Sequence, residues 1–327
     1  MGIWQSRPER AGGAAAAALR AKLSSFPAFA ALKTRPVRPL KKFVRRVEPK
    51  IYGCVGNLEV RLARTRAEVR LAQRLRYQVF YEEMSAEPTR LAQFRRRDED
   101  AFDAVCDHLL VVDAEKQQPR WRGARAAAPK VIGTYRLLRQ DVAERSLGFY
   151  TANEYDIMPL VKARSPRYRF VELGRSCVLA PYRGKRSVEL LWHGLWTYVR
   201  EHKIDVMIGC ASFAGAEPAE HAAALSYLHH YHLAPPEWRC RAHEHLRQPM
   251  DLIAKDKIDV KAALKAIPPL IKGYLRLGAF VGDGAVIVRQ FGTTDVLIIL
   301  PVEKIDPRYF EHFGAPTETK SRIAADA

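Results

Sequence analysis

The residues best suited to chemistry lie between Val171 and Val199, where an apolar strand pattern is followed by a basic turn and then by an amphipathic helix pattern. Glu172 interrupts the strand pattern, and Arg175 follows it three residues later. A carboxylate in an apolar strand is costly to bury unless it is paired or used. Burial also raises the pKa of a glutamate, which makes it a better general base. We therefore interpret Glu172 as a candidate base; the alternative is a structural Glu–Arg pair that ties two strands together.

The two side chains do not meet in a regular strand, because residues 172 and 175 point to opposite faces. A β-bulge adds one residue on one strand and turns the following side chains to the other face. Gly174 is the candidate position for such a bulge. A bulge there would bring Glu172 and Arg175 together.

The basic turn that follows is a candidate anion site, formed by Arg183, Gly184, Lys185, Arg186 and Ser187. Backbone N–H groups and the helix dipole favour an anion at the start of a helix, and Arg and Lys add countercharge. The phosphate of phosphopantetheine or a pyrophosphate would suit this position. Ser187 is the expected N-cap. A solvated basic turn is the alternative interpretation.

The elements that must position these residues can be predicted from hydrophobic spacing. Residues 169 to 179 alternate as a strand, and Val188, Leu191, Leu195 and Val199 mark the buried face of the next helix. Leu58 to Leu62 is an opening strand, and Thr65 is the expected N-cap of a helix that runs to Glu83. Strands alternate with helices along the chain, which predicts an α/β architecture.

The charge distribution indicates an acidic partner. The 327 residues carry a formal net charge of +18, and residues 1 to 50 hold 12 Lys and Arg against two Glu, a net +10. Such an excess favours an acidic protein, an anionic membrane surface or nucleic acid. We assign residues 1–56 to a basic tail that is disordered or lies on a membrane surface. Aromatic residues are not interleaved with the basic run, which makes nucleic acid an unfavourable partner.

Other sequence features argue against several classes of protein. No apolar run reaches the roughly 20 residues that a membrane-spanning helix needs. The five cysteines are odd in number and contain no C-x-x-C pair, which fits a reducing compartment. Histidines cluster between His229 and His245, but their spacing matches no standard zinc pattern. We therefore expect no metal site.

Short motifs carry a family resemblance. Four of them, in chain order, resemble the acyl-homoserine-lactone synthases of the GNAT acyltransferase superfamily: Arg76 to Phe80, Asp100 with Asp103, Arg136 to Leu138, and Glu172 to Arg175. A longer set is more similar to the ornithine-(acyl-carrier-protein) N-acyltransferases, which begin ornithine-lipid synthesis: Phe102 to Val111, Val171 to Arg175, Tyr182 to Ser187, Leu191 to Gly194 and Phe291 to Val296. The resemblance assigns residues 57–314 to a GNAT-like domain with a C-terminal extension, and leaves 315–327 as a tail.

The resemblance implies a GNAT fold, with a mixed, mostly antiparallel sheet that splays at its centre and is flanked by helices. It implies that Glu172 removes a proton from the α-amine of L-ornithine, which then attacks the thioester of a 3-hydroxyacyl chain on acyl carrier protein. Arg76, Arg136 and Arg175 would order the site or grip the acceptor carboxylate. Asp100 and Asp103 would hold the acceptor's cationic side chain, and Phe80 would line the substrate site. No cofactor is implied beyond the carrier-bound donor.

One departure bears on the donor. In the usual GNAT phosphate loop an Arg or Gln is spaced from two glycines, whereas here Gly184 directly follows Arg183 and cations replace the later glycines. Extra cations suit an acidic acyl carrier protein with one phosphate better than acetyl-CoA. Two alternatives remain. One is the same chemistry with another amine, giving a glycine-type lipid or an acyl-homoserine lactone. The other is an inactive GNAT-like protein that binds membranes or nucleic acid. The expected location is the cytoplasm, peripheral on the inner face of the membrane.

Overall fold

The sheet that positions Glu172 has nine strands among the residues described by this computed structural model, which are 50–84, 86–114, 129–306 and 308–309. In chain order the strands are β1 Ile51–Val55, β2 Leu58–Leu62, β3 Asp107–Asp113, β4 Lys130–Arg139, β5 Phe170–Val178, β6 Val206–Ala214, β7 Arg247–Gln248, β8 Phe280–Val288 and β9 Thr293–Pro301. Their spatial order is β1-β2-β3-β4-β5-β6-β9-β8-β7.

Helices flank this sheet. They are α1 Arg66–Tyr77, α2 Arg90–Arg95, α3 Gln140–Ala143, α4 Met158–Arg164, α5 Lys185–Glu201, α6 Ala222–His232, α7 Val260–Ala266 and α8 Pro269–Arg276. A π-helical turn, Gln78–Glu83, continues α1. Thr65 caps α1 by accepting a hydrogen bond from the Glu68 amide, so the predicted N-cap is confirmed.

The centre of the sheet is splayed. Every pair of neighbouring strands is antiparallel except β5 and β6, which run parallel. Their ladder contains the pairs Phe170–Val206, Val171–Met207 and Glu172–Ile208. Beyond Glu172, β5 continues beside β4 and β6 continues beside β9. The structure is therefore the mixed, mostly antiparallel GNAT-like sheet that the sequence analysis predicted, with β7 to β9 as its C-terminal extension.

One face of the sheet is covered by α5, which packs on β1, β2 and β3. Leu195 and Tyr198 of this helix are fully buried in a core with Val60, Val111 and Leu137. Gly194 allows the helix to approach closely, because a Cβ at this position would lie 2.3 Å from a methyl carbon of Val60. This contact packs the middle of α5 closely against β2.

The opposite face carries a second apolar cluster, in which Phe170, Val206 and Leu297 pack under Tyr155. The Tyr155 hydroxyl lies 2.8 Å from the carbonyl oxygen of Gly284 and 3.2 Å from that of Asp295. The segment around Tyr155 is thus fixed to the C-terminal strands. Glu172 projects toward this face.

Three predictions differ from the structure. The N-cap of α5 is Gly184, whose backbone is extended, and Ser187 lies buried in the first turn. Val188 is 42 % exposed and so does not belong to the buried face. Strand β1 begins at Ile51, inside the segment assigned to the tail. Gly56, with φ +60°, forms the turn that joins β1 to β2. Residues 1–49 and the predicted tail 315–327 lie outside the described residues.

Candidate active site

A cavity of about 470 Å³ opens where β5 and β6 separate. Such a volume is typical of small-molecule sites. Its apolar wall includes Val79, Phe80, Leu173, Tyr274, Phe291 and Ile298. Its polar lining includes Arg136, Glu154, Glu172, Arg175, Arg183 and Asp295. Predicted site residues Phe80, Arg136, Glu172, Arg175 and Arg183 therefore share one cavity.

Glu172 is held by a short 3₁₀ turn, Tyr150–Asn153. The Tyr150 amide donates to Oε2 at 2.8 Å, the Thr151 amide donates to Oε1 at 2.5 Å, and the Thr151 hydroxyl also donates to Oε1. The side chain is 5 % exposed. Burial raises the pKa of Glu172, while these hydrogen bonds act in the opposite direction. A carboxylate accepts about four hydrogen bonds. One acceptor position, on Oε2, is thus left for another group.

A bulge in β5 redirects Arg175. The β4–β5 register shifts between Thr134 and Arg136, whose partners are Cys177 and Gly174. The predicted bulge is present, but the left-handed residue is Arg175 itself, with φ +51°. A non-glycine residue in this region stores roughly 1–3 kcal/mol of strain and is found mainly at functional sites.

The bulge brings Glu172 and Arg175 to a common neighbour rather than to each other. The Arg175 guanidinium lies 5.0 Å from the Tyr150 ring centroid, and the Tyr150 amide donates to Glu172. The ion-pair partners of Arg175 are Asp98, at 3.3 Å from Nε, and Asp100, at 3.5 Å from Nη2. A structural Glu172–Arg175 pair is therefore not the reason for burying Glu172.

Behind Arg175 lies a network of arginines and aspartates. Arg76 is fully buried and lies 2.8 Å from Asp98 and 2.7 Å from Asp103. Arg136 lies 2.7 Å from Asp100 and 3.4 Å from Asp103. The arginines hold the pKa of Asp103 well below its usual range, although burial acts to raise it.

This network changes the roles predicted for two aspartates. Asp100 and Asp103 form a reciprocal capping box at the 3₁₀ turn Ala101–Ala104, and their carboxylates bind arginines of the protein. They are therefore countercharges for arginines, whereas we had predicted that they hold a cationic substrate group. Arg76 is likewise a buried structural cation that does not line the cavity. Its predicted grip on a substrate carboxylate is not available in this geometry.

The basic turn lies beside the cavity. Arg183 lines it, donates through Nε to the Val178 carbonyl oxygen at 2.9 Å, and pairs with Glu83. Gly184, Lys185 and Arg186 are exposed. A Cβ at Gly184 would meet no atom within 4 Å, so the space in front of the helix start is open. The turn therefore offers the first amides of α5 and the exposed side chains of Lys185 and Arg186 to an anion, while Arg183 is paired with Glu83.

Two further carboxylates in the cavity were missed by the sequence analysis. Glu154 follows the turn that holds Glu172, and Asp295 lies on β9. Burial and the charge of Asp295 raise the pKa of Glu154 to about 7. Burial also raises the pKa of Asp295. The sequence around Asp295 could have marked it as a candidate, because it is a carboxylate next to an apolar strand run, as Glu172 is. No such pattern surrounds Glu154.

Two of the clustered histidines, His230 and His243, contact backbone carbonyl oxygens. Nε2 of His230 lies 3.1 Å from the Ile253 carbonyl oxygen, and Nε2 of His243 lies 2.8 Å from that of Ala152. Within residues 50–309, gaps aside, no three His, Cys, Asp or Glu side chains are placed to hold a metal ion. The five cysteines are free thiols.

Comparison with known proteins decides the family. Residues 75–193 match the acetyltransferase (GNAT) domain. An L-ornithine N(alpha)-acyltransferase of Brucella abortus (strain 2308) is 54% identical over 265 residues, which cover 81% of this chain and 92% of that protein. This chain belongs to the L-ornithine N(alpha)-acyltransferase family. The member from Rhizobium meliloti (strain 1021) is 52% identical over 84% of this chain and 90% of its own length.

This acyltransferase also shares weak similarity with solved structures. FeeM, an N-acyl amino acid synthase from uncultured soil microbes, aligns with a TM-score of 0.40 and 12% identity over 75% of this chain and 91% of its own. The acyl-homoserine-lactone synthase LasI aligns with a TM-score of 0.37 and 13% identity over 75% and 90%. Within the described part of the acyltransferase, no helix has the length and apolar character needed to span a bilayer.

Proposed function

We propose that this acyltransferase moves a 3-hydroxyacyl chain from acyl carrier protein to the α-amine of L-ornithine, giving lyso-ornithine lipid. The observation that carries the proposal is the cavity at the splayed strands. It combines a buried carboxylate, apolar walls and, at its edge, an open helix N-terminus with basic residues. The names of the relatives support ornithine as the acceptor.

Glu172 is the base in this proposal. The ammonium form of the acceptor first loses a proton to solvent, so that Glu172 stays ionised, and the free amine attacks the thioester carbonyl carbon. A C–N bond forms, the second amine proton passes to the remaining acceptor position on Oε2, and the C–S bond breaks. The sulfur leaves on the carrier and takes up a proton. A raised pKa suits Glu172 to this task because it holds a proton more readily than an ordinary carboxylate.

The donor is proposed to enter along the basic turn. The phosphate of phosphopantetheine would contact the first amides of α5, and Lys185 and Arg186 would face the acidic surface of the carrier. The acyl chain would occupy the apolar wall around Phe80 and Tyr274. Each methylene buried there contributes about 0.8 kcal/mol to donor binding. No bound cofactor takes part.

The proposed product is amphiphilic and would partition into a membrane, so an enzyme that works at a membrane surface could release it there. We propose a cytoplasmic protein that works at the inner face of the membrane. The net +10 charge of residues 1–50 supports this location, because anionic lipids attract clustered Lys and Arg.

The test uses purified wild type with 3-hydroxyacyl carrier protein and ornithine, followed by mass spectrometry of the product. The Glu172→Gln variant is the test variant, and Glu144→Gln, at an exposed position outside the cavity, is the matched control. An N-acylated ornithine made by wild type and control but not by the test variant is the expected result. A product with another head group would refute ornithine, and the absence of any acylated product would favour the membrane-binding or nucleic-acid-binding alternative.

A further inference from the structure

Glu154 and Asp295 form a buried acidic pair in the cavity, on the side of β6 and β9. The two residues are 8 % and 9 % exposed. Oε2 of Glu154 and Oδ1 of Asp295 have no hydrogen-bond partner among the described residues. A buried polar atom without a partner costs roughly 1–3 kcal/mol, and more when it is charged. Two such atoms in one cavity indicate that a ligand completes them.

The backbone around both carboxylates is firmly held. The Glu154 amide donates to the Thr151 carbonyl oxygen at 3.0 Å, and the Glu154 carbonyl oxygen accepts from the His243 amide at 2.9 Å. Asp295 lies opposite Ser212 in the β6–β9 ladder. The pair is therefore built into the fold and does not belong to a mobile surface loop.

Charge balance shows what kind of ligand is missing. Arg76, Arg136 and Arg175 are matched by three aspartates of the network. Glu154 and Asp295 form no salt bridge with any described residue. Their hydrogen-bonding neighbours are neutral: the Cys210 thiol for Glu154, and the Thr293 and Ser212 hydroxyls for Asp295. Burial raises the pKa of Glu154, and repulsion from Asp295 raises it further. A cation placed between them would relieve both the repulsion and the missing hydrogen bonds.

We propose that Glu154 and Asp295 bind the side-chain ammonium of the acceptor amino acid and thereby select a diamino acid over a neutral one of the same length. This inference rests on the proposed function, since it assigns the acceptor's second amine. An ammonium has three donors for the unpartnered oxygens. We assign the acceptor's own carboxylate to Arg175, which lines the same cavity.

The turn at residues 150–153 links this ammonium site to the chemistry. Its first amides bind Glu172, and Glu154 follows directly at its C-terminal end. The turn therefore sets the position of Glu154, the proposed selectivity residue, relative to Glu172, the proposed base. An acceptor that is anchored by its side-chain ammonium at one end of the turn presents its α-amine toward the other.

The experiment compares ornithine with norvaline, which has the same carbon chain but no side-chain amine. Initial rates with 3-hydroxyacyl carrier protein give kcat/KM for each acceptor in wild type, Glu154→Gln, Asp295→Asn and the surface control Glu144→Gln. Glu154→Gln and Asp295→Asn each remove a charged hydrogen bond to the ornithine ammonium. Each variant should therefore lose about 10- to 100-fold in kcat/KM for ornithine, mainly through a higher KM. Norvaline should be used equally well or better by the variants, so the preference for ornithine collapses in them and persists in the control.

The ratio of kcat/KM for ornithine to kcat/KM for norvaline distinguishes a loss of selectivity from damage to the fold, because damage lowers both values alike. Equal losses on both acceptors, or unchanged kinetics, would overturn the assignment. Wild type alone gives a second test that does not need either variant to fold: norvaline or Nδ-acetylornithine used as efficiently as ornithine would also overturn it. Failure of wild type to acylate ornithine would instead refute the proposed function, and this inference with it, whatever the variants do.

Discussion

Replacing Glu172 with Gln tests the central carboxylate with little change in shape. The Gln oxygen is best placed at the Oε1 position, where the Thr151 amide and hydroxyl both donate. The Gln NH₂ group then faces the Tyr150 amide, so two donors oppose each other in a buried site. The substitution removes the base from the Oε2 position and leaves one backbone N–H without an acceptor.

The two losses have different sizes. One buried donor without a partner lowers the free energy of unfolding by about 1–3 kcal/mol. Loss of general-base catalysis lowers the rate of the chemical step by about 10² to 10⁴, or roughly 3–5 kcal/mol of activation free energy. The variant should therefore stay folded at 25 °C, because domains of this size are usually stable by about 5–15 kcal/mol.

The pH dependence of stability gives a third expectation. Because burial raises the pKa of Glu172, the unfolded chain releases this proton at lower pH than the folded protein. The contribution of Glu172 to stability is therefore complete below the unfolded pKa and is lost as the pH rises through the folded pKa. The Gln variant lacks this loss, so its stability deficit relative to wild type should shrink with rising pH.

The assays are single-turnover acylation with saturating donor and urea denaturation between pH 4 and pH 8, each on wild type, Glu172→Gln and the control Glu144→Gln. The control should match wild type in both. A chemical step within a factor of about three of wild type, far less than general-base catalysis supplies, would remove Glu172 from the mechanism. A stability deficit that grows with pH would contradict the assigned direction of the pKa shift.

Three other substitutions probe separate parts of the structure. Arg76→Met should lower the free energy of unfolding by about 3–5 kcal/mol in chemical denaturation, because Asp98 and Asp103 each lose the nearer of their two arginines; a loss below 1 kcal/mol would contradict this. Gly194→Ala should cost about 1–3 kcal/mol, and Val60→Ala in the same chain should restore most of it; additive losses would exclude the steric cause. Arg186→Gln should weaken carrier-protein binding about two- to fivefold at low ionic strength, and an effect that persists in 0.5 M salt would argue against a surface charge contact.

Local features of the fold could be predicted from the sequence because their causes are local. Thr65 caps α1 because its hydroxyl meets an amide three residues away. Ser187 failed as a cap since Gly184 already takes the extended conformation that precedes the helix. The tail was predicted to reach residue 56, but Gly56 forms the hairpin turn between β1 and β2. At Gly53 a Cβ would lie 2.4 Å from a ring carbon of His193, so this glycine serves a close contact.

Pairings in the site depend on the whole topology and so could be predicted only in part. The strand pattern singled out Glu172, but its donors come from a turn about 20 residues earlier that has no distinctive sequence. Asp100 was predicted as a site residue from the family resemblance, but its partner Arg136 lies 36 residues later, on β4. The segments of Glu154 and Asp295 are joined by the hydrogen bond from the Tyr155 hydroxyl to the Asp295 carbonyl oxygen, 140 residues apart in the chain. Spacing along the sequence does not predict a contact over that separation.

The short β5–β6 ladder has a mechanical consequence. Three residue pairs join the strands β1 to β5 to the strands β6 to β9, whereas the neighbouring β6–β9 ladder has nine. Among the described strands only the edge strand β7 is held by fewer pairs, so this ladder is the weak line in the middle of the sheet, and Glu172 belongs to its last pair. Any bending of one half against the other, by heat, force or an entering acyl chain, therefore acts first on the spacing between Glu172 and β6. A ligand that fills the gap and contacts both halves would restrain them. The distance between Glu172 and β6 is therefore expected to vary less in the ligand-bound enzyme than in the ligand-free one.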